Sequence, residues 1–89
     1  MNPAALPLVD LTRSFIAGEM DAATFDESFR ATFRTMPVLG DETFLPLDFL
    51  FVACDRYVDD PELREPPEDL DEAGLLESAR ETLRRLGVT

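Results

Sequence analysis

The sequence predicts an all-α fold, a small antiparallel four-helix bundle, and three observations carry that prediction. Apolar residues recur at spacings of three, four and seven in four separate stretches, the period of one helix face. Residues that start and stop helices bracket those stretches. Finally, 89 residues with 45% hydrophobic content suffice for one core and not for two, so positions 1–89 read as a single domain.

The first helix is expected between Pro3 and Gly18, where Leu8, Leu11 and Phe15 share a face with Val9 and Ile16 beside them. Asp21 then stands where a carboxylate can accept from the free amides of a new first turn. Phe25, Phe29 and Phe33 follow at i, i+4 and i+8, and Pro37 with Gly40 is expected to close this second helix.

A loop around Gly40 to Thr43 should lead to a third helix from Pro46, with Leu47, Leu50, Phe51, Cys54 and Tyr57 or Val58 on its inner stripe and Phe49 and Val52 broadening it. The run from Leu47 to Ala53 also fits a buried strand. Asp48, Asp55 and Arg56 are spaced as a helical back face, however, and favour the helix. Pro61, Pro66 and Pro67 break regular structure around Glu62, Glu65, Glu68 and Asp69, which marks a loop.

Asp71 should cap the last helix, whose apolar face is Leu75, Leu76, Ala79, Leu83 and Leu86. Arg80, Arg84 and Arg85 complement the dipole of its closing turns, and Gly87 ends it. The simplest packing sets the phenylalanines of the second helix against the leucines of the first and fourth.

Composition removes most chemistry. There is no histidine and no lysine, so the usual general base, the commonest metal ligand and the Schiff-base amine are missing. The single Cys54 cannot form an intrachain disulfide, and on the apolar stripe without a histidine partner it reads as structural. An EF-hand counted from Asp55 fails, with Tyr57 at its third position, Asp60 where glycine is required and Pro66 at its twelfth. Paired carboxylates for glycoside hydrolysis would need a cleft that so small a bundle lacks room for. An acyl carrier needs an Asp-Ser-Leu attachment site, and no serine here has that context. No enzyme activity, cofactor or metal is therefore expected.

No apolar stretch approaches the roughly 20 residues that span a bilayer, and no basic-then-apolar leader opens the chain, so a cytoplasmic protein away from membranes is expected. Its net charge of −11 is unevenly placed: residues 41 to 72 hold twelve carboxylates against Arg56 and Arg64. Such a block repels nucleic acid and anionic lipid while attracting basic proteins. It also opposes folding by self-repulsion, so the fold alone does not account for it. A solvated loop that keeps the protein soluble is the plain reading. The sharper one is a decoy, in which spaced carboxylates stand in for phosphates and occupy the cations of a nuclease. Tyr57, the single tyrosine, lies between Asp55 and Asp59 and is either an interface anchor or an edge-of-core residue.

The order of segments adds a resemblance. Leu8-Val9-Asp10-Leu11 with Phe15-Ile16, Met20 to Phe25, Leu50-Phe51-Val52-Ala53-Cys54-Asp55-Arg56-Tyr57, and Leu70-Asp71-Glu72-Ala73-Gly74-Leu75 together resemble the colicin D immunity family over nearly the whole chain. The third and fourth of these stretches are the most specific. The resemblance implies a small cytoplasmic four-helix protein that plugs the active site of a tRNA-cleaving toxin, with acidic side chains in place of the RNA backbone.

Carried over by position, the family's contact region falls on Asp55, Asp59, Asp60 and the following loop carboxylates, Glu62 and Glu65 among them, with Arg56 and Tyr57 between. Asp48 belongs to the same acidic block and completes the candidate partner-binding set. Val58 and the stretch Pro61 to Pro67 have no clear equivalents in the family, and Met36 to Thr43 aligns loosely. The toxin's identity therefore stays open, including another RNase or a contact-dependent inhibition system. The expected partner is a basic nuclease toxin bound by a monomer. The alternative is an acidic adaptor that binds a basic protein segment and inhibits nothing.

Overall fold

Polar caps set most of the helix starts in the computed structural model, which describes residues 2–66 and 68–88. Asn2 Oδ1 accepts the Ala4 amide at 3.0 Å and opens a short 3-10 turn, Pro3–Ala5, that runs into α1 (Leu6–Ile16). Asp21 Oδ1 accepts from Thr24 and Asp71 Oδ1 from Gly74, both at 2.8 Å, so α2 (Ala22–Phe33) and α4 (Glu72–Leu86) begin where those aspartates predict. Gly18 and Gly87 take φ of 81° and 73° beyond the ends of α1 and α4. At both, the following amide reaches back to a carbonyl of the last turn, Glu19 to Ser14 at 2.9 Å and Val88 to Leu83 at 3.1 Å. This closure needs a left-handed residue, which glycine supplies without strain.

The third helix departs from expectation. α3 spans Asp41–Arg56, so Gly40 to Thr43 is mostly its first turn and not a loop, and Pro46 lies inside it. The Gly40 carbonyl accepts the amides of Thr43 and Phe44 at 3.2 and 2.8 Å, and Asp41 and Glu42 occupy the first turn, where carboxylates suit the exposed amides. Pro46 costs only the bond to the carbonyl of exposed Glu42. Conversely, α2 ends at Phe33, before Pro37, and leaves through a turn in which Met36 donates to Phe33 O at 3.2 Å. Pro67, expected among the breakers, lies outside the described residues.

Burial follows the predicted stripes, with two corrections. Leu8, Phe15, Phe25, Phe29, Leu47, Leu50, Cys54, Leu75 and Ala79 form the core. Phe15 stacks on Phe25 with centroids 4.3 Å apart, and the aromatic seam continues through Phe29 and Phe33 to Phe51 on α3. The phenylalanines of α2 thus face α1 and α3. The principal neighbours of α2 are α1 and α3, and those of α4 are α3 and α1, so α3 takes the adjacent place expected of α4, while Phe25 and Phe29 still share the core with Leu75 and Ala79 of α4. Val52 does not broaden the inner stripe either, being 48% exposed on the outer side of α3. Phe49, on the α4 side, is covered by the Arg85 guanidinium at 4.2 Å.

Antiparallel pairing places the ends. Asp26, in the first half of α2, lies beside Cys54 near the end of α3, while Phe33 at the end of α2 meets Phe44 near the start of α3, and Arg30 in the last turn of α2 reaches back to Asp55. The strand alternative for Leu47 to Ala53 is excluded by α3. Among the described residues, an isolated bridge between Tyr57 and Leu70 is the extended pairing present.

Candidate acidic interface

The end of α3 and the start of α4 are joined by a long segment that buries little but is tightly hydrogen-bonded. Leu70 N–H donates to Arg56 O at 2.8 Å and Val58 N–H to Leu70 O at 3.0 Å, so main-chain bonds tie the segment's two ends. Within it, Asp60 Oδ1 accepts the Glu62 amide at 2.9 Å and opens a 3-10 turn, Pro61–Leu63. Asp69 Oδ2 accepts the Glu65 amide at 3.0 Å.

The two arginines of the acidic block act on backbone. Arg64 Nε donates to Val58 O at 2.7 Å and its Nη2 to Asp59 O at 3.3 Å, while Arg56 Nε donates to Glu68 O at 2.6 Å. Each cation therefore organises the path of the chain between the carboxylates. Arg64 was absent from the residues singled out by sequence. Its signal was available, since a lone arginine in a proline-bounded acidic loop must find acceptors nearby.

Of the eight predicted contact residues, the structure gathers seven at this end. Asp55, Asp59, Asp60, Glu62 and Glu65 are exposed, Arg56 is exposed beside them, and Tyr57 is half-buried. Asp48 stands apart, two turns back along α3, roughly 10 Å from Asp55 but on the same helical face. The two readings of Tyr57 both apply to it: its ring packs against the core, and its hydroxyl donates to Asp59 Oδ1 at 2.7 Å. Burial, followed by the Asp59 carboxylate, pushes the phenol up to about 12, so it remains a donor at neutral pH.

Behind Asp55 lies a polar cluster that the sequence reading did not single out. Arg30 pairs with Asp26 at 3.1 Å and with Asp55 at 3.8 Å, and Asp26 and Arg30 stand at i and i+4, a spacing visible in the sequence. Burial raises the Asp26 carboxyl above its ordinary value despite the Arg30 charge. Its Oδ1 and Arg30 Nε are buried without hydrogen-bond partners. The adjacent Cys54 thiol is pushed up to about 12, first by burial and then by the Asp26 charge, so it stays protonated and unreactive at neutral pH.

Among the described residues, no group of three or more Cys, Asp or Glu side chains is arranged to hold a metal ion. No described helix is long and apolar enough to cross a membrane. What the geometry offers is a set of outward carboxylates on an ordered segment, which suits contact with a basic macromolecule.

Comparison with known families decides the class. The family of bacterial self-protective colicin-like immunity matches residues 5–86, all four helices and the acidic segment included. The chain belongs to that family. No curated protein matches it. As a colicin-like immunity protein, it binds and inhibits a cognate toxin.

Proposed function

We propose that this immunity protein inhibits a basic, RNA-cleaving toxin domain by seating its acidic end in the cleft that holds the substrate backbone. The resemblance to colicin D immunity proteins points to a tRNA-cleaving partner. The observation that carries the reading is the combination of exposed carboxylates at Asp55, Asp59, Asp60, Glu62 and Glu65 with a backbone already fixed by Arg56 and Arg64. Spaced negative charge matches what a nuclease cleft binds in RNA, and prior ordering reduces the entropy lost on association. The protein works as a monomer in the cytoplasm of the cell it protects, and its field keeps it away from RNA itself.

Long-range attraction of this kind accelerates encounter. The association rate with the toxin domain should fall steeply as salt rises from about 0.05 to 0.5 M, because the Debye length contracts from roughly 14 to 4 Å. Stopped-flow mixing measures it. A flat profile would remove the acidic end from recognition and favour an apolar contact.

A further inference from the structure

The outer face of α3 is not the solvated face its carboxylates suggest. Each residue turns about 100° around the helix, so Asp41, Leu45, Asp48, Val52 and Asp55 fall within an arc of roughly 80°. Leu45 and Val52 are 58% and 48% exposed on that arc, whereas Leu47, Leu50 and Cys54 on the opposite side are buried. Single exposed aliphatics need no explanation. Two of them a heptad apart, alternating with three carboxylates and leading into Asp55 and Asp59, form a continuous stripe.

We propose that this stripe is an apolar ridge of the toxin interface, with Leu45 and Val52 entering a hydrophobic groove of the toxin whose rim cations meet Asp41, Asp48 and Asp55. The proposal rests on the reading of the acidic end as the toxin contact and extends that contact along α3. The charge pattern selects the occupant. A second copy docked face to face would set the same carboxylates against one another, and an anionic lipid surface would be repelled by them. A basic protein surface complements both components of the stripe. Long-range attraction by the carboxylates then governs how fast the complex forms, while the desolvated aliphatics, together with those carboxylates that meet buried cations, govern how slowly it separates.

The test uses the full chain and the toxin domain against which it protects cells, with binding followed in real time. Leu45→Gln with Val52→Gln, and separately Leu45→Ala with Val52→Ala, keep good helix formers at exposed positions, so melting should be unchanged for at least one pair. Dissociation should accelerate at least about tenfold while association stays within about twofold. Unchanged dissociation in a normally melting pair overturns the ridge. Wild-type self-association by sedimentation that either pair abolishes would assign the stripe to a second copy and also overturn it. Neutralising Asp59, Glu62 and Glu65 in parallel tests the acidic end alone, so a loss of rate there with no effect at Leu45 and Val52 separates the two failures.

Discussion

The aromatic seam and the acidic segment are ordered by opposite means. Phe15, Phe25 and Phe29 hold α1 and α2 together by burial, with rings 4.3 to 5.4 Å apart and almost no exposure. The segment after α3 buries little and is held by directed bonds: Arg64 to Val58 and Asp59, Arg56 to Glu68, Asp60 to Glu62 and Asp69 to Glu65. One region responds to lost volume and the other to lost donors and acceptors. Under the proposed function, stability and recognition lie in separate parts of the chain and can be perturbed independently.

The largest effect should come from the recognition side. Replacing Asp55, Asp59 and Asp60 together with asparagine removes charge but keeps an oxygen acceptor for the Tyr57 hydroxyl and the Glu62 amide. Melting should be unchanged or slightly higher. Inhibition should weaken by several kcal/mol, because each buried toxin cation left unpaired costs roughly 2 to 5 kcal/mol, with non-additivity among neighbours. Thermal unfolding beside a toxin-inhibition assay checks both halves. Normal melting with full protection would place the binding surface elsewhere.

The converse change is Phe29→Ala, which removes a fully buried ring packed between Phe25 and Phe33. It should cost about 3 to 5 kcal/mol of a total near 4 to 13 kcal/mol. Protection should fail only where the variant unfolds, and excess toxin titrated against the folded fraction distinguishes unfolding from weakened contact.

Arg64→Met sharpens the comparison, because charge and order make opposing predictions. Removing a cation deepens the negative field, which should leave association as fast or faster. Losing the bonds to Val58 and Asp59 should loosen the segment and weaken the complex by about 1 to 2 kcal/mol. Hydrogen exchange at residues 58 to 70 should quicken. If affinity rises instead, the order imposed by this arginine has no part in binding.

The smallest effect concerns Asp26, where the two regions meet. Its carboxyl is raised in the folded protein by burial, so the native state holds the proton more tightly than the unfolded chain does. The stability gained by protonation is complete below the unfolded value of about 3.9 and is lost as pH rises through the folded one. Wild type should therefore gain on Asp26→Asn as pH falls from 7 to about 4. Urea unfolding of both proteins at each pH gives the difference, and a change in the opposite direction would mean that the Arg30 pair outweighs burial.

Much of the fold was legible because local chemistry and packing agree. Asp21 and Asp71 cap α2 and α4, whose inner faces the 3.6-residue period identifies, and Gly18 and Gly87 lie just past the ends of α1 and α4. Legibility failed where a residue has two lawful uses. Pro46 can open a helix or sit in its second turn, and only the Gly40 and Thr43 contacts, including the bond from Asn2 N–H to Thr43 Oγ1 at 3.0 Å, decide between them. Val52 is apolar and sits among core residues in the sequence, yet the angular order around α3 turns it outward. In the candidate site the carboxylates could be read from charge alone. The roles of Arg56 and Arg64 could not, because their acceptors are carbonyls that every residue possesses and only the path of the chain selects.

The closure of the acidic segment between Arg56 and Leu70 has an evolutionary consequence. Its ends are fastened by main-chain groups, which survive almost any side-chain replacement, and its interior makes few demands on the core. Lengthening such a loop is also inexpensive, at about 0.6 kcal/mol for each doubling. Apart from Tyr57 and the side chains that hold the path, such as Arg64, residues between these two anchors can therefore be exchanged while the helices beneath remain the same, which suits the segment to serve as a variable region on a constant frame. A toxin that alters its surface can be followed by substitutions in this one segment, without the descendant having to rediscover how to fold.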